Sequence, residues 1–410
     1  MTSPGKATLI FFLSSFKGFN TGIGGHYRSV NELSRALSAD FNVHVITFGD
    51  IPSPVFLDTE GYVHAPTKSP LDPLALRKLR KQISAIVACS ESGEPVRIVS
   101  VGLNNDYAPM RLATLGLSLN YYHIKPGGKP PLAPSVFNGI PLAVFHESDL
   151  ETFTKADPPR DVVMTPGRVS APAFDPAFLE EARSPVYDDD SINIACVMRI
   201  SSYYRDSILS VHQALREIEG ITFTHYGAIQ DKALHTEIAG APLEIPYALV
   251  TSESVTSAAA KALHPFQAFI GFGRSALEAM SLGIPVFIPV PTSGGPQLHA
   301  VTKENWRIFA RANFTARVSH EDLCRSGPVV GLKSVARSNE RLTSLGRDVH
   351  KIFQRNFSTA SSRETLINFL ARSSYGGGAR DALRIALLFR SEIKRASILR
   401  RSTSESRATR

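Results

Sequence analysis

The sequence predicts an α/β protein of two successive domains, each a largely parallel sheet flanked by helices. Three observations carry this. At 410 residues and 43% hydrophobic content the chain can bury two cores. Short apolar runs alternate with segments whose apolar residues recur at helical spacing. Several of those runs end in glycine, as parallel strands do where they turn toward a helix.

Thr8 to Leu13 is the first strand, and Ser14 to Gly25 follows as a loop with Gly18, Gly22, Gly24 and Gly25. The next helix carries Val30, Leu33, Ala36 and Leu37 on one face, and Asn42 to Thr47 is the second strand. This βαβ opening places a glycine-rich turn at the carboxyl end of a strand, where phosphates commonly bind. The glycines lack the dinucleotide spacing, which weighs against an NAD-dependent dehydrogenase.

A proline-containing loop, Ile51 to Pro70, leads to a helix near Leu71 to Cys89, a strand at Val96 to Val101 and a helix near Tyr107 to Leu119. Lys125 to Pro141 reads as a loop, with His123 just before it in a structural or solvent-facing role. Pro141 to Phe145 is a strand whose tip is His146; a substrate contact and a structural hydrogen bond are both open for it. Asp161 to Thr165 is another strand. The prolines and acidic run that follow place a linker at 171–190, between domains at 1–170 and 191–373.

Ser191 to Val197 restarts the pattern, with Arg199 and Arg205 after it and a helix to about Ile218. Ile221 to Tyr226 is a strand ending at Gly227. Ala268 to Pro289, AFIGFGRSALEAMSLGIPVFIP, then reads as strand, glycine turn at Gly273, helix from Arg274 to Leu282, and strand. Its helix start offers unpaired N–H groups near Ser275, and Glu278 is its one carboxylate. Strands and helices are expected to alternate through Trp306, and Ser358 to Leu370 is a well-patterned helix.

The net charge is +8, but residues 379–410 hold nine Lys or Arg against three acidic residues, six of those eight charges. The body is therefore nearly neutral, which argues against a nucleic-acid-binding surface and confines any attraction to an anionic membrane to the basic tail, 374–410. Three cysteines, Cys89, Cys196 and Cys324, stand far apart without metal-like spacing, pointing to a reducing compartment. Ala7 to Leu13 is too short to span a bilayer. The expected location is cytoplasmic, peripheral at a membrane surface through the tail.

Cations for phosphates, a helix start and a carboxylate for ribose hydroxyls are the parts of a nucleoside diphosphate site. At this point FIGFGRSALEAMSLGIPVFIPVPTSGG resembles the donor-site segment of the retaining family 4 glycosyltransferases, whose GT-B fold sets two Rossmann-like domains about a central cleft. IACVMRISSYYRDSILSVHQAL is similar to their second-domain opening, TGIGGHYRSVNELSRAL to their glycine loop, PLAVFHES to the strand ending in an active-site histidine, and VVMTPGRVSAPAFDP to their linker entry. The resemblance covers roughly residues 8 to 370.

The resemblance implies that Glu278 holds the donor ribose as the second glutamate of E-x7-E, that Arg199 and Arg205 hold the diphosphate, and that Gly24 and Gly25 approach it. His146 would face the transferred sugar; from their places at a strand end and at the glycine turn and helix start, Gly227, Gly273, Arg274 and Ser275 are expected to line the donor. The first glutamate of the pattern falls on Ile270. The interval from His146 to Gly167 is short, which puts a helix usual there in question.

Together these readings imply a transferase that needs no metal or other cofactor. It would move a hexosyl group from a nucleotide-sugar to a glycan or lipid-linked acceptor in cell-surface polysaccharide or glycolipid synthesis, with no nucleic-acid partner. The alternatives are a non-catalytic scaffold or glycan-binding subunit of the same fold and a nucleotide-sugar epimerase, for which Glu147 and Asp149 are the offered carboxylates.

Overall fold

The computed structural model describes residues 5–16, 24–90, 93–102, 104–126, 140–155, 161–183, 190–216, 218–240 and 243–372. The chain divides into two compact units, the first comprising 1–145, 149–165 and 363–410, the second 146–148 and 166–362. The basic tail and most of the first glycine loop lie outside the described residues.

The first unit runs β1 (Ala7–Ser15), α1 (Gly25–Leu37), β2 (Phe41–Gly49), β3 (Tyr62–Pro66), α2 (Pro73–Ala88), β4 (Val96–Val101), α3 (Asn104–Ala113), β5 (Leu119–Lys125), β6 (Leu142–Val144), α4 (Glu147–Thr154) and β7 (Val162–Met164). Its seven strands lie in the order β3-β2-β1-β4-β5-β6-β7, all parallel. Central β1 is buried on both faces, so its sequence is continuously apolar. Leu9, Phe11 and Leu13 pack with Val30, Leu33 and Leu37 of α1, while Ile10 and Phe12 share the opposite core with Leu79 and Ile83 of α2.

Two strands correct the sequence reading. β3 lies inside the stretch read as a proline loop, where five residues between turn formers give too little alternation to stand out. β5 replaces the expected helix end and loop. Gly116, at φ 76°, reverses the chain after α3, and β-favouring Tyr121, Tyr122 and Ile124 follow. His123 is therefore a wholly buried strand residue. The helix in question after His146 is present as the eight residues of α4.

The second unit begins with α5 (Pro176–Glu181), capped by Asp175 within the expected linker. It continues through β8 (Ile192–Val197), α6 (Arg205–Leu215), β9 (Ile221–Tyr226), α7 (Lys232–Gly240), β10 (Tyr247–Val250), α8 (Glu253–Thr256), β11 (Ala268–Ile270), α9 (Gly273–Ser281), β12 (Val286–Thr292), β13 (Gly295–Ala300), α10 (Trp306–Arg311), α11 (His320–Ser326), α12 (Leu332–Val335) and α13 (Asn339–Asn356). The sheet order is β10-β9-β8-β11-β12-β13. Its first five strands are parallel and β13 returns antiparallel to β12, a hairpin where alternating strands and helices were expected. Gly295, at φ 104°, permits that reversal.

Helix α9 is seated by glycine. A Cβ on Gly346 of α13 would lie 2.1 Å from the carbonyl oxygen of Gly283, so the two backbones touch where α9 ends. In the last described helix, α14 (Thr359–Ala371), the residues from Arg363 on belong to the first unit, and Leu366, Phe369 and Leu370 join its core. There Tyr122 Oη donates to the Leu370 carbonyl at 2.7 Å and Arg363 pairs with Asp40 at 2.6 Å.

Candidate donor site

In the second unit, β11 ends at Ile270 and the chain turns through Gly271, Phe272 and Gly273 into α9. Gly273 takes φ 57°, a conformation side chains resist, and its N–H donates to the Phe314 carbonyl at 3.0 Å. Ser275 Oγ donates to the Phe272 carbonyl at 2.9 Å, so the first turn of α9 has no side-chain cap accepting from its N–H groups.

Glu278 sits in the second turn of α9. It is 5% exposed and accepts from Arg274 Nε at 2.7 Å, an i,i+4 pair that compensates a carboxylate otherwise costly to bury. Arg274 Nη1 also donates to the Arg168 carbonyl at 2.8 Å, and Arg168 Nη2 to Asn313 Oδ1 at 2.6 Å. Burial, with the charge of Arg274 beside it, pushes Arg168 down to about 9. Asn313 and Phe314 both adopt the left-handed conformation, at φ 56° and 51°.

The structure thus gathers Gly273, Arg274, Ser275 and Glu278 with Arg168 and Asn313. The other expected residues of this unit stand at adjoining strand ends. Arg199 follows β8, exposed, with its guanidinium 5.6 Å from the Tyr204 ring. Arg205 opens α6 and is paired with Glu237 at 2.7 Å. Gly227 follows β9, where a Cβ would lie 2.4 Å from the Met198 carbonyl oxygen, so strand packing alone demands glycine. Ile270 is wholly buried in the sheet.

In the first unit, Gly24 is the N-cap residue of α1 and its carbonyl accepts from the Tyr27 N–H at 3.0 Å, with Gly25 the first helical residue. His146, which follows β6 but falls in the short 146–148 segment of the second unit, is 4% exposed, its Nδ1 2.9 Å from Ser148 Oγ. His123 Nδ1 lies 2.7 Å from Ser100 Oγ, and burial, reinforced by Lys125, lowers it to about 3. Lys125 itself forms a buried pair with Asp149 at 2.6 Å.

The sequence reading missed Arg168, Asn313 and the Lys125–Asp149 pair. Arg168 and Asn313 are 145 positions apart, so no local spacing could join them. Among the described residues, no three His, Cys, Asp or Glu side chains gather to hold a metal ion. Hollows of about 460 and 420 Å³ open elsewhere in the unit, at the amino ends of β8 and β9 and beside Tyr226 and Phe266. Parallel sheets bind ligands at the opposite, carboxyl end, so the turn into α9 is the stronger candidate.

No family model and no curated protein matches the chain in sequence. Solved structures do match its fold. A glycosyltransferase from Rickettsia africae is 13% identical, with 89% of this chain and 98% of that one covered and a TM-score of 0.58. HepE of Anabaena, solved with UDP and glucose, is 13% identical over 89% and 99%, at 0.55. A UDP-GlcNAc 2-epimerase from Neisseria meningitidis, bound to UDP-GlcNAc, is 13% identical over 88% and 99%, at 0.50. The chain has the two-domain α/β architecture of the GT-B glycosyltransferases.

Proposed function

We propose that the protein is a nucleotide-sugar-dependent glycosyltransferase. Glu278 carries the reading: a carboxylate 5% exposed, held behind a glycine turn at the carboxyl end of a parallel strand and beside an uncapped helix start. Its second oxygen suits ribose hydroxyls, while the helix start and Arg199 suit the diphosphate. Arg205 joins them by exchanging Glu237 for phosphate.

In the proposed reaction the bond from the sugar's anomeric carbon to the diphosphate breaks and a bond to an acceptor hydroxyl forms on the same face. The hydroxyl's proton passes to the departing phosphate. Charge develops on that phosphate, so fixed cations and N–H dipoles stabilise the transition state more than the ground state. His146, Gly24, Gly25 and Gly227 are proposed as further contacts to the sugar and donor. Retention, family 4 membership, hexosyl transfer and a polysaccharide or glycolipid acceptor rest on the sequence resemblance. Cytoplasmic placement rests on the scattered cysteines, and peripheral association on the basic charge of 379–410. Among the described residues, no helix is long and apolar enough to cross a membrane.

A thermal-shift screen with UDP, GDP, ADP and their sugar conjugates tests the reading, because a ligand of the native state raises its melting temperature. Glu278→Gln should lose most of the shift given by the best conjugate; an undiminished shift would refute the ribose role. The fold likeness to the Neisseria enzyme keeps epimerisation as a second reading, although Asp149 is tied to Lys125 and Glu147 is exposed. Epimerised sugar formed without acceptor would favour it. Neither binding nor turnover would favour the scaffold.

A further inference from the structure

Helix α2 buries one face in the first unit and leaves the other to solvent. Ala75, Leu79 and Ile83 enter the core, with Leu76, Ile86 and Val87 packed beside them. Leu74, Arg77, Lys78 and Lys81 recur at helical spacing on the outer face, an exposed stripe about 10 Å long. Leu74 is 71% exposed, although a leucine gains by leaving water. It does not stand on a frayed end: Pro73 opens the helix, and Asp72 Oδ1 accepts from the Leu74 and Ala75 N–H groups at 2.9 and 3.4 Å. Arg80 is not part of the stripe, since its Nη1 donates to the Leu115 carbonyl and ties the helix to the turn before β5.

The fold gives the three stripe cations nothing to do. No acidic residue lies between Pro73 and Ala88. Among the described residues, Arg77, Lys78 and Lys81 form no ion pair. They stand in the first half and middle of the helix, while its last turn, where the helix dipole favours a cation, carries none. Arg77 and Lys81, four positions apart, repel one another. The longer α13, by contrast, sets Glu340 and Asp348 among its basic residues. Summed over the whole body, the charge of α2 is cancelled by acidic residues elsewhere, which is why the sequence reading left all attraction for a membrane to the tail.

We propose that the outer face of α2 docks on an anionic lipid bilayer, with Leu74 entering the interface and Arg77, Lys78 and Lys81 meeting the headgroups. The leucine selects this partner. A nucleic acid or acidic glycan in water offers an isolated Leu74 little, whereas the boundary of a bilayer takes an apolar side chain and lets basic stems lie along it with their charges among the headgroups. The surface extends the membrane association proposed for 379–410 to a folded element, and it depends on neither the tail nor the donor site.

The test measures partition of the full chain onto phosphatidylcholine vesicles with and without phosphatidylserine, and binding to heparin as a soluble polyanion. One variant carries Arg77→Gln, Lys78→Gln and Lys81→Gln together, and a second carries Leu74→Ser. A control of equal charge change carries Lys303→Gln, Arg325→Gln and Arg337→Gln, at exposed sites of the second unit. The α2 triple variant should lose at least about tenfold in partition onto phosphatidylserine vesicles. Leu74→Ser should lose severalfold there and nothing on heparin, the control should lose little, and the melting temperatures of the α2 variants should hold because the replaced side chains are exposed. Undiminished partition of the triple variant overturns the surface and leaves the tail as the contact, and an equal loss in the control overturns it as a net-charge effect. A triple variant that loses vesicles and heparin alike, with Leu74→Ser silent on both, assigns the face to soluble polyanions and overturns the bilayer. Should the triple variant melt below the wild type, Leu74→Ser decides alone, and undiminished partition again overturns the surface. Wild type that fails to partition onto phosphatidylserine vesicles refutes both the surface and the tail, and neither result bears on donor binding.

Discussion

Mild acid should destabilise the second unit, and two buried histidines account for much of the effect. His212 of α6 and His225 of β9 lie in one aromatic cluster, with His212 5.3 Å from the Tyr247 ring and both imidazoles against Phe223. His212 Nε2 and His225 Nδ1 are buried without hydrogen-bond partners. Burial lowers both groups to about 4, and for His212 the charges of His225 and Arg216 add to it. Between the ordinary value of 6.5 and about 4, the unfolded chain therefore binds protons that the folded unit refuses. Stability is complete above the ordinary value and falls as the pH drops through that window. At pH 5 the loss is about 2 kcal/mol per histidine, or about 4 for the two. That is a large share of the roughly 5–15 kcal/mol that holds a domain folded. Urea unfolding at pH 7.5, 6 and 5, followed by tyrosine and tryptophan fluorescence, measures the slope. His299 is lowered to about 4 as well, so His212→Leu, similar in volume, should remove about a third of the second unit's decline between pH 7.5 and 5, about 2 kcal/mol. A variant whose stability falls as steeply as the wild type's would refute the assignment.

Three further outcomes follow from particular contacts. Gly346→Ala should lower the melting temperature by several degrees and weaken donor binding, because the new methyl meets the Gly283 carbonyl at 2.1 Å and forces α13 off α9, an overpacking cost of about 1–3 kcal/mol; an unchanged melting temperature would count against the contact. Lys125→Met should cost about 3–5 kcal/mol by leaving Asp149 buried against a lost charge, and Lys125→Met with Asp149→Leu should recover much of it, a double-mutant cycle that additive losses would contradict. Removing residues 379–410 takes away six of the eight net positive charges and should lower partition onto phosphatidylserine vesicles without altering donor-induced thermal shifts; equal partition would end the tail's share in membrane binding.

What the sequence made legible follows the range of the interactions involved. The turn from β11 into α9 was readable because strand, glycines, arginine and carboxylate are contiguous, and Arg274 reaches Glu278 within one helical turn. β1 was readable for a similar reason, since a strand buried on both faces is continuously apolar from Leu9 to Leu13, and β8 and β9 were readable as runs rich in β-favouring residues although Asn193, Thr222, Thr224 and His225 interrupt their apolar pattern. β3 and β13 were not, because their placement depends on pairing with a neighbour rather than on their own short pattern. The same limit applies to chemistry. Gly227 read as a ligand glycine, yet the carbonyl of Met198, just past the end of β8, already requires it. Arg205 read as a phosphate cation, yet Glu237 from the next helix holds it in this state. Arg168 read as nothing, and only the left-handed turn at Asn313 and the reach of Arg274 bring it to α9. Local sequence therefore marks the stretch of the proposed nucleotide site, whereas the residues packed around it, Arg168 and Asn313 among them, are brought there only by the tertiary fold.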